Sequence, residues 1–585
     1  MIPPTLRIAA RRSAFMLLAL GMAWILAACG REEVAASAPA PVQPADEIYV
    51  GSSILTMDPA RPRAEAVAVA QGRIVAVGGR AELEASRKGP ATRVVDIGGA
   101  TLLPGFIDGH SHISQALTFA DWANVSIPPV GSVDSIASLL ETLGRHLATR
   151  GGAAPGEWIL AWGYDPDGLA EKRHVVRADL DAAFPDNPVM LLHVSGHGVV
   201  LNSAALRLAG IDARTPTPAG GVIARLPGSD EPAGLLMESA ALLAYAAIPR
   251  PTVEQQLATL DEVQRLYARN GYTTIQDGAS DDQTLELLRR AAAAGALWLD
   301  VVALPVVFQP SELDARLRER FGSYAGHLKL GGIKVLTDGS PQGRTALFSA
   351  PMLVHGPGDE TDWRGEPFMA PAQYDDIVAR VYAAGIPLWT HANGDGAIDM
   401  VIAAHEKAGA RAADDRRDVV VHSQFVRPDQ LDSYVSLGIA ASFFSNHAFY
   451  WGDVHVRNLG AERASFLSPL KTAHAKGVKY SNHTDYGVTP LDPAMVLWTA
   501  VTRQSRSGVV IGPDERVPAQ RALEALTIDA AWIYREEDSK GSISPGKVAD
   551  FVVLDADPLA VPADRLRELK VLATIKEGRL VAGQL

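Results

Sequence analysis

Residues 104–112 read Pro104-Gly105-Phe106-Ile107-Asp108-Gly109-His110-Ser111-His112. The segment starts as an apolar strand and breaks into an end bearing Asp, Gly and His. Side chains in a strand alternate between faces, so His110 and His112 project to one side and can clasp a single ion. With 15 His in 585 residues, a bare His-x-His pair can arise by chance, and the weight rests on its setting and on what lies downstream.

Downstream, apolar strand-like runs alternate with Ala/Leu/Glu-rich helical segments, as βα units of a parallel sheet do. The runs are 273–276, 327–336, 387–391, 418–422 and 438–444. Each ends in polar or ionisable residues. This predicts an α/β fold with a TIM (β/α)8 barrel whose chemistry sits at the C-terminal ends of its strands. The stretch 151–245 breaks the rhythm and is expected to be an insertion. Short β-like pieces occur at 48–50, 66–70, 73–77 and 93–97, and again at 549–554, 571–575 and 579–581. They predict a small β-sandwich built from both ends of the chain, 48–103 and 541–585, around a barrel domain of 104–540.

The N-terminus follows another pattern. Arg7, Arg11 and Arg12 precede an apolar run from Ala14 to Ala28, the length of a signal-peptide core rather than of a membrane span. Its end, Leu26-Ala27-Ala28-Cys29, resembles the bacterial lipobox. Residues 1–29 are therefore expected to be a lipoprotein signal peptide with Cys29 as lipidation site, and 30–47 a tether. The plainer alternative is an anchor helix with an incidental Cys. Cys29 is the only Cys, so no intramolecular disulfide can form. The expected location is the bacterial cell envelope, lipid-anchored on the periplasmic side or at the outer membrane.

Composition narrows the partners. Apolar residues make up 47% and charged residues 21%, which suits a packed globular protein. A net charge of -13 without a Lys/Arg-dense block argues against nucleic acid. A small-molecule substrate is favoured, and homodimerisation is left open. The chain contains no His-Glu-x-x-His, no Gly-x-Ser-x-Gly and no Gly-x-x-x-x-Gly-Lys-Ser/Thr, which removes the main rival enzymes.

PGFIDGHSH is followed in order by GGIKVLTDGSPQGRTA (331–346), PLWTHANGDGAID (387–399), VVVHSQF (419–425) and SNHTDYGVTPLDP (481–493). ILTMD (54–58), RIVAVG (73–78) and GSISPGKVADFVVLD (541–555) flank them. This ordered set resembles the amidohydrolase superfamily, specifically its YtcJ-like (amidohydrolase 3) branch, which includes N-substituted formamide deformylases. The resemblance covers nearly everything after the tether. It implies a metal-dependent hydrolase that cleaves a non-peptide C–N bond, amide-like and of the N-acyl or N-formyl kind. It also implies one or two divalent ions, zinc by the nitrogen-rich donor set, held by His110, His112, Lys334, His391, His422 and Asp485.

In that set His110 and His112 take the more buried ion, and His391 and His422 the more exposed one. An unmodified ammonium is a poor metal ligand, so the resemblance implies N6-carboxylation of Lys334, whose carbamate oxygens can bridge two ions. With one ion, Lys334 is instead a partner of Asp338. Asp485 is ligand and general base, or else a turn-forming Asp. His197, in HVSGHGVVLNSAAL, resembles a position that reaches over the site to hydrogen-bond substrate or oxyanion, with a structural His as the alternative. Arg344 and Asp338 orient a substrate carbonyl or pair with each other. Trp162, Tyr164, Phe444, His447 and Trp451 line an aromatic pocket or simply pack. His483 and the segment 442–451 depart from the branch pattern. Two other readings stay open: a deaminase or cyclic-amide hydrolase on the same barrel, and a non-catalytic ligand-binding surface lipoprotein.

Overall fold

The computed structural model describes residues 43–585. The expected signal peptide, Cys29 and the expected tether up to residue 42 lie outside the described residues. Among the described residues no helix is long and apolar enough to cross a membrane. Ala45–Leu585 forms one compact unit.

Both ends of that unit share one eight-stranded sheet. Its order is Arg579–Gly583, Val571–Lys576, Phe551–Leu554, Thr101–Pro104, Glu47–Leu55, Arg63–Ala70 and Arg73–Gly78, with Arg93–Asp96 added beside Glu47–Leu55. Thr101–Pro104 pairs antiparallel with Phe551–Leu554, Leu102 opposite Val553. Alternation gives the sheet two apolar faces: Tyr49, Val67, Val69 and Phe551 pack on one, Ile48, Val50, Ala66 and Ala68 on the other. The strands expected to form a sandwich are thus hydrogen-bonded into a single continuous sheet.

The middle of the chain holds two parallel sheets. One contains Phe106–Ile107, Tyr272–Ser280, Asp300–Pro305 and Leu328–Leu330; the other contains Ile333–Leu336, Leu388–Ala392, Val419–His422, Ala440–Phe443 and Tyr480–Asn482. A parallel bridge between Val306 and Lys334 joins them. At the far side the Ser442 hydroxyl donates to the Gly109 carbonyl at 3.1 Å. Helices such as Val253–Arg269, Pro371–Ala383 and Asp395–Lys407 run between strands. Strands covered on both faces read as continuous apolar runs, which is why Val419–Val421 is buried throughout.

Two details differ from the sequence reading. The run 327–336 is split, because Gly331–Gly332 offsets the chain between Leu328–Leu330 and Ile333–Leu336. Gly332 has φ +156° and a Cβ there would sit 2.5 Å from the Pro387 carbonyl oxygen, so only glycine fits. The Asp300–Pro305 strand was not anticipated, although Gly295, with φ +66°, ends the Ala-rich helix before it.

A six-stranded sheet overlaps the stretch 151–245 where an insertion was expected: it starts at Ala123–Asn124 and continues through Ile159–Tyr164, Val189–His193, Gly198–Leu201, Gly221–Arg225 and Pro232–Glu238. The amphipathic helix Ile136–Thr149 inside it has the same periodicity as a helix between parallel strands, so sequence pattern cannot assign it. This sheet has its own core, centred on Val125, Leu139, Tyr164 and Leu191.

Candidate metal centre

The strand ends converge. Phe106–Ile107 delivers His110 and His112, Ile333–Leu336 carries Lys334, Leu388–Ala392 carries His391, and Val419–His422 ends on His422. Asp485 follows Tyr480–Asn482 and is tied in by its backbone N–H, which donates to the His110 carbonyl at 3.0 Å. His422 and Asp485 adopt φ of +73° and +49°, a region that L-residues avoid and that clusters at functional sites.

The atoms at the centre are close. Asp485 Oδ1 lies 3.4 Å from His112 Nε2 and 3.7 Å from His110 Nε2, and Asp485 Oδ2 lies 3.9 Å from His422 Nε2. His422 Nε2 is 3.1 Å from His391 Nδ1, and His422 Nδ1 is 3.2 Å from His483 Nε2. His110 is oriented from behind: its Nδ1 meets Gln276 Oε1 at 2.6 Å, Gln276 donates to the Tyr534 hydroxyl at 2.7 Å, and that hydroxyl donates to the Asp108 carbonyl at 2.7 Å. Such a chain fixes the ring and leaves Nε2 for the centre.

Burial sets the charge states. It pushes His110, His391 and His422 well below the ordinary imidazole range, helped by Lys334 and neighbouring rings, and His483 down to about 3. These rings are neutral, the form that binds cations. Burial also lowers Lys334 to about 7, against the pull of Asp485. For Asp485, burial opposes ionisation, but His112, His483 and Lys334 outweigh it and hold the carboxyl below its usual value.

Do these residues fit a metal ion? Two triads, His110/His112/Asp485 and His422/His483/Asp485, each offer ligand atoms within 4.8 Å of one another. Lys334 Nζ and Asp485 Oδ1 are buried and have no hydrogen-bond partner. Buried polar atoms are normally satisfied, so an orphaned amine and carboxylate oxygen beside neutral imidazoles mark a place prepared for a cation. The donor set fits.

The remaining predicted residues divide. His197 Nδ1 lies 2.9 Å from Glu238 Oε2, and its ring centroid is 4.9 Å from that of His391. Asp338 is 3.5 Å from His391 Nε2 but does not pair with Lys334; it accepts backbone N–H groups of Asn393 at 3.0 Å and of Gly394 and Leu347 at 2.9 Å. Burial still pushes its carboxyl up to about 7. The other three are placed elsewhere. Arg344 donates to the His355 carbonyl at 3.0 Å and approaches His174, Trp162 stacks on Phe119 at 5.1 Å, and His447 pairs with His455 at 3.1 Å.

Glu238 was missed by sequence reasoning. It closes the Pro232–Glu238 strand with φ +54° and accepts from Thr345 on its other oxygen. With Tyr245, Phe308 and Phe368 it lines a cavity of about 220 Å³ that also contains His112 and His197. Beside it lies an outer chamber of about 670 Å³, whose lining shares His112, Gln115, Tyr245 and Phe308 with it. Phe119, Trp122 and Ile248 make the chamber walls largely apolar.

The chain belongs to the amidohydrolase family, whose sequence profile matches residues 93–582. It is 31% identical over 547 residues to the N-substituted formamide deformylase of Arthrobacter pascens, a match covering 92% of this chain and 98% of that one. The putative amidohydrolase YtcJ of Bacillus subtilis (strain 168) is 28% identical over 548 residues, covering 91% and 99%. An uncharacterized metal-dependent hydrolase from Pyrococcus horikoshii OT3 superposes with a TM-score of 0.68 at 24% identity, covering 88% of this chain and 99% of that one, and supports the fold alone. The protein is therefore an enzyme of the amidohydrolase family.

Proposed function

We propose that this enzyme hydrolyses the C–N bond of a small N-substituted amide. The observation that carries this reading is the pair of buried, partnerless atoms, Asp485 Oδ1 and Lys334 Nζ, set among His110, His112, His391 and His422. These side chains would hold one or two divalent ions, with zinc favoured by the nitrogen-rich donors. A bound ion lowers the pKa of water to near neutrality and polarises a carbonyl.

This chain's residues supply the rest. Asp485, ionised and with one oxygen uncommitted, takes the proton of the attacking water and returns it to the departing nitrogen. Glu238 raises the His197 imidazole pKa against burial, favouring the protonated ring, which can donate to the oxygen that becomes negative as the carbonyl is attacked. Lys334, its amine brought towards neutrality by burial, is suited to add carbon dioxide at Nζ, losing a proton and becoming an anionic oxygen donor. The apolar outer chamber receives the substituent on nitrogen.

The same reading closes the parallel strands into a (β/α)8 barrel. Taking Leu328–Leu330 and Ile333–Leu336 as one interrupted strand gives eight, and the Ser442 to Gly109 hydrogen bond supports contact between the last strands and the first. Residues 541–585 and 48–103 then form the companion domain. We also propose that Cys29 anchors the protein to a membrane of the cell envelope, a role that incorporation of an alkyne fatty acid, absent in Cys29→Ser, would establish.

The test of the activity is a panel of N-substituted formamides and N-acyl amides, scored by amine release. Turnover should appear with metal-loaded protein and vanish on chelation. Cleavage of esters or cyclic ureas only would overturn the reading.

A further inference from the structure

A second cavity, of about 360 Å³, lies on the other side of the loop that follows Asp485. Trp162, Tyr450, Trp451 and Tyr486 supply flat aromatic walls, and Arg506 and Asp165 supply the charge. It accounts for two aromatic residues, Trp162 and Trp451, that the metal centre leaves unused.

Arg506 is the informative member. Its guanidinium carbon lies 5.2 Å from the centroid of the Tyr450 ring and 6.0 Å from that of Phe449, within cation–π range of both. Its Nε is buried without a hydrogen-bond partner, and among the described residues its guanidinium forms no ion pair. The acids nearby are committed elsewhere. Asp453 accepts from Ser505 at 2.9 Å and from Ser507 at 2.6 Å, and Asp165 accepts from the Trp451 indole and the Asp167 backbone, both at 3.0 Å. A buried N–H normally finds an acceptor, because leaving it unpaired is costly, and Arg506 Nε has none, while the terminal nitrogens are not committed to any acid. Here they are left for something that enters the cavity.

We propose that this cavity is a second ligand site, for a small monocarboxylate with a flat apolar body, bound by Arg506 and sandwiched among the aromatic walls. A planar guanidinium presents paired N–H donors that match a carboxylate. One cation suffices for one negative charge, and Asp165 within its reach disfavours a dianion such as phosphate. Because Tyr486, Gly487 and Val488 form one wall, and Val488 also lines the metal-centre cavity, the occupant rests on the loop that carries Asp485.

Titration calorimetry on the metal-loaded full chain tests this with phenylacetate and its uncharged counterpart phenylacetamide. Phenylacetate should bind at least tenfold more tightly, and Arg506→Gln should remove that preference while metal content stays the same. A carboxylate that binds only at the metal centre would be indifferent to Arg506→Gln, and unchanged phenylacetate affinity in that variant overturns the site. Equal affinity for the two probes overturns it as well. If Arg506→Gln fails to fold, Arg506→Lys carries the test: the point charge without the planar fork should lose at least threefold, and no loss refutes the role of the guanidinium.

Discussion

His197 Nδ1 stands 2.9 Å from Glu238 Oε2, a contact between the turn before Gly198–Leu201 and the end of Pro232–Glu238, both residues lining the metal-centre cavity. Burial works against charge on His197, but Glu238, by proximity and hydrogen bond, outweighs it and raises the imidazole pKa. Glu238→Gln should therefore lower kcat by roughly ten- to hundredfold, the equivalent of the ~1.5–3 kcal/mol contributed by a charge-assisted hydrogen bond. Metal content should be unchanged, because Glu238 touches none of the ion-binding side chains. An unaltered kcat would remove His197 from the reaction.

Asp485→Asn separates holding the ion from moving the proton. The amide retains an oxygen near His110 and His112, so much of the metal should remain, while turnover falls by about 10²–10⁴-fold, the range of general-base catalysis. Elemental analysis alongside steady-state kinetics reads both. Near-normal turnover would exclude Asp485 as the base.

Carboxylation of Lys334 has a direct signature. Reconstitution with metal in ¹³C-labelled bicarbonate should give one carbamate carbon resonance, absent in Lys334→Arg, and that variant should hold markedly less metal. A normal metal complement in bicarbonate-free buffer would show that the amine is not used this way.

Gly339 faces Glu238 closely. A Cβ on Gly339 would lie 2.0 Å from Glu238 Oε1 and 2.3 Å from Thr345 Oγ1, so Gly339→Ala must displace the carboxylate. The expected result is a loss of about 1–3 kcal/mol from overpacking, with a drop in kcat like that of Glu238→Gln. Thermal unfolding and kinetics on the one variant check both effects.

His327 gives stability a pH dependence far from the centre. Its Nδ1 lies 2.7 Å from Asp300, and that hydrogen bond raises the imidazole pKa above its ordinary 6.5 against partial burial. A pKa raised on folding stabilises fully below the unfolded value and stops doing so as pH climbs through the folded one. The Tm advantage of the natural protein over His327→Gln should thus be largest below pH ~6.5 and shrink above it. A difference independent of pH would contradict the pairing.

His110, His112, His391 and His422 stand at or just past the ends of apolar runs, which makes them conspicuous in the sequence, whereas Lys334, inside Ile333–Leu336, and Asp485, after a polar stretch, could be named only through the family resemblance. Glu238 gave no such signal: it closes an apolar strand inside the insertion, and its φ of +54° is invisible in the letters. Arg344 is placed away from the ion-binding side chains. It follows the Lys334 strand closely in sequence, yet the turn after Asp338 carries it towards His355 and His174. Trp162 and His447 sit in apolar runs where packing and ligand contact look alike. The start of the six-stranded sheet at Ala123–Asn124 was hidden because one amphipathic helix resembles another until its partner strand is known.

The antiparallel pairing of Leu102 with Val553 has a consequence for how the protein comes to be made. The Thr101–Pro104 strand leads straight into Phe106–Ile107 and then His110, so its neighbour Phe551–Leu554 braces the approach to the first pair of imidazoles. That neighbour is synthesised only after every other ion-binding residue has left the ribosome. A nascent or prematurely stopped chain ending before Phe551 would carry all six side chains without this brace, and assembly of a working centre becomes a late event that inspects the integrity of the polypeptide.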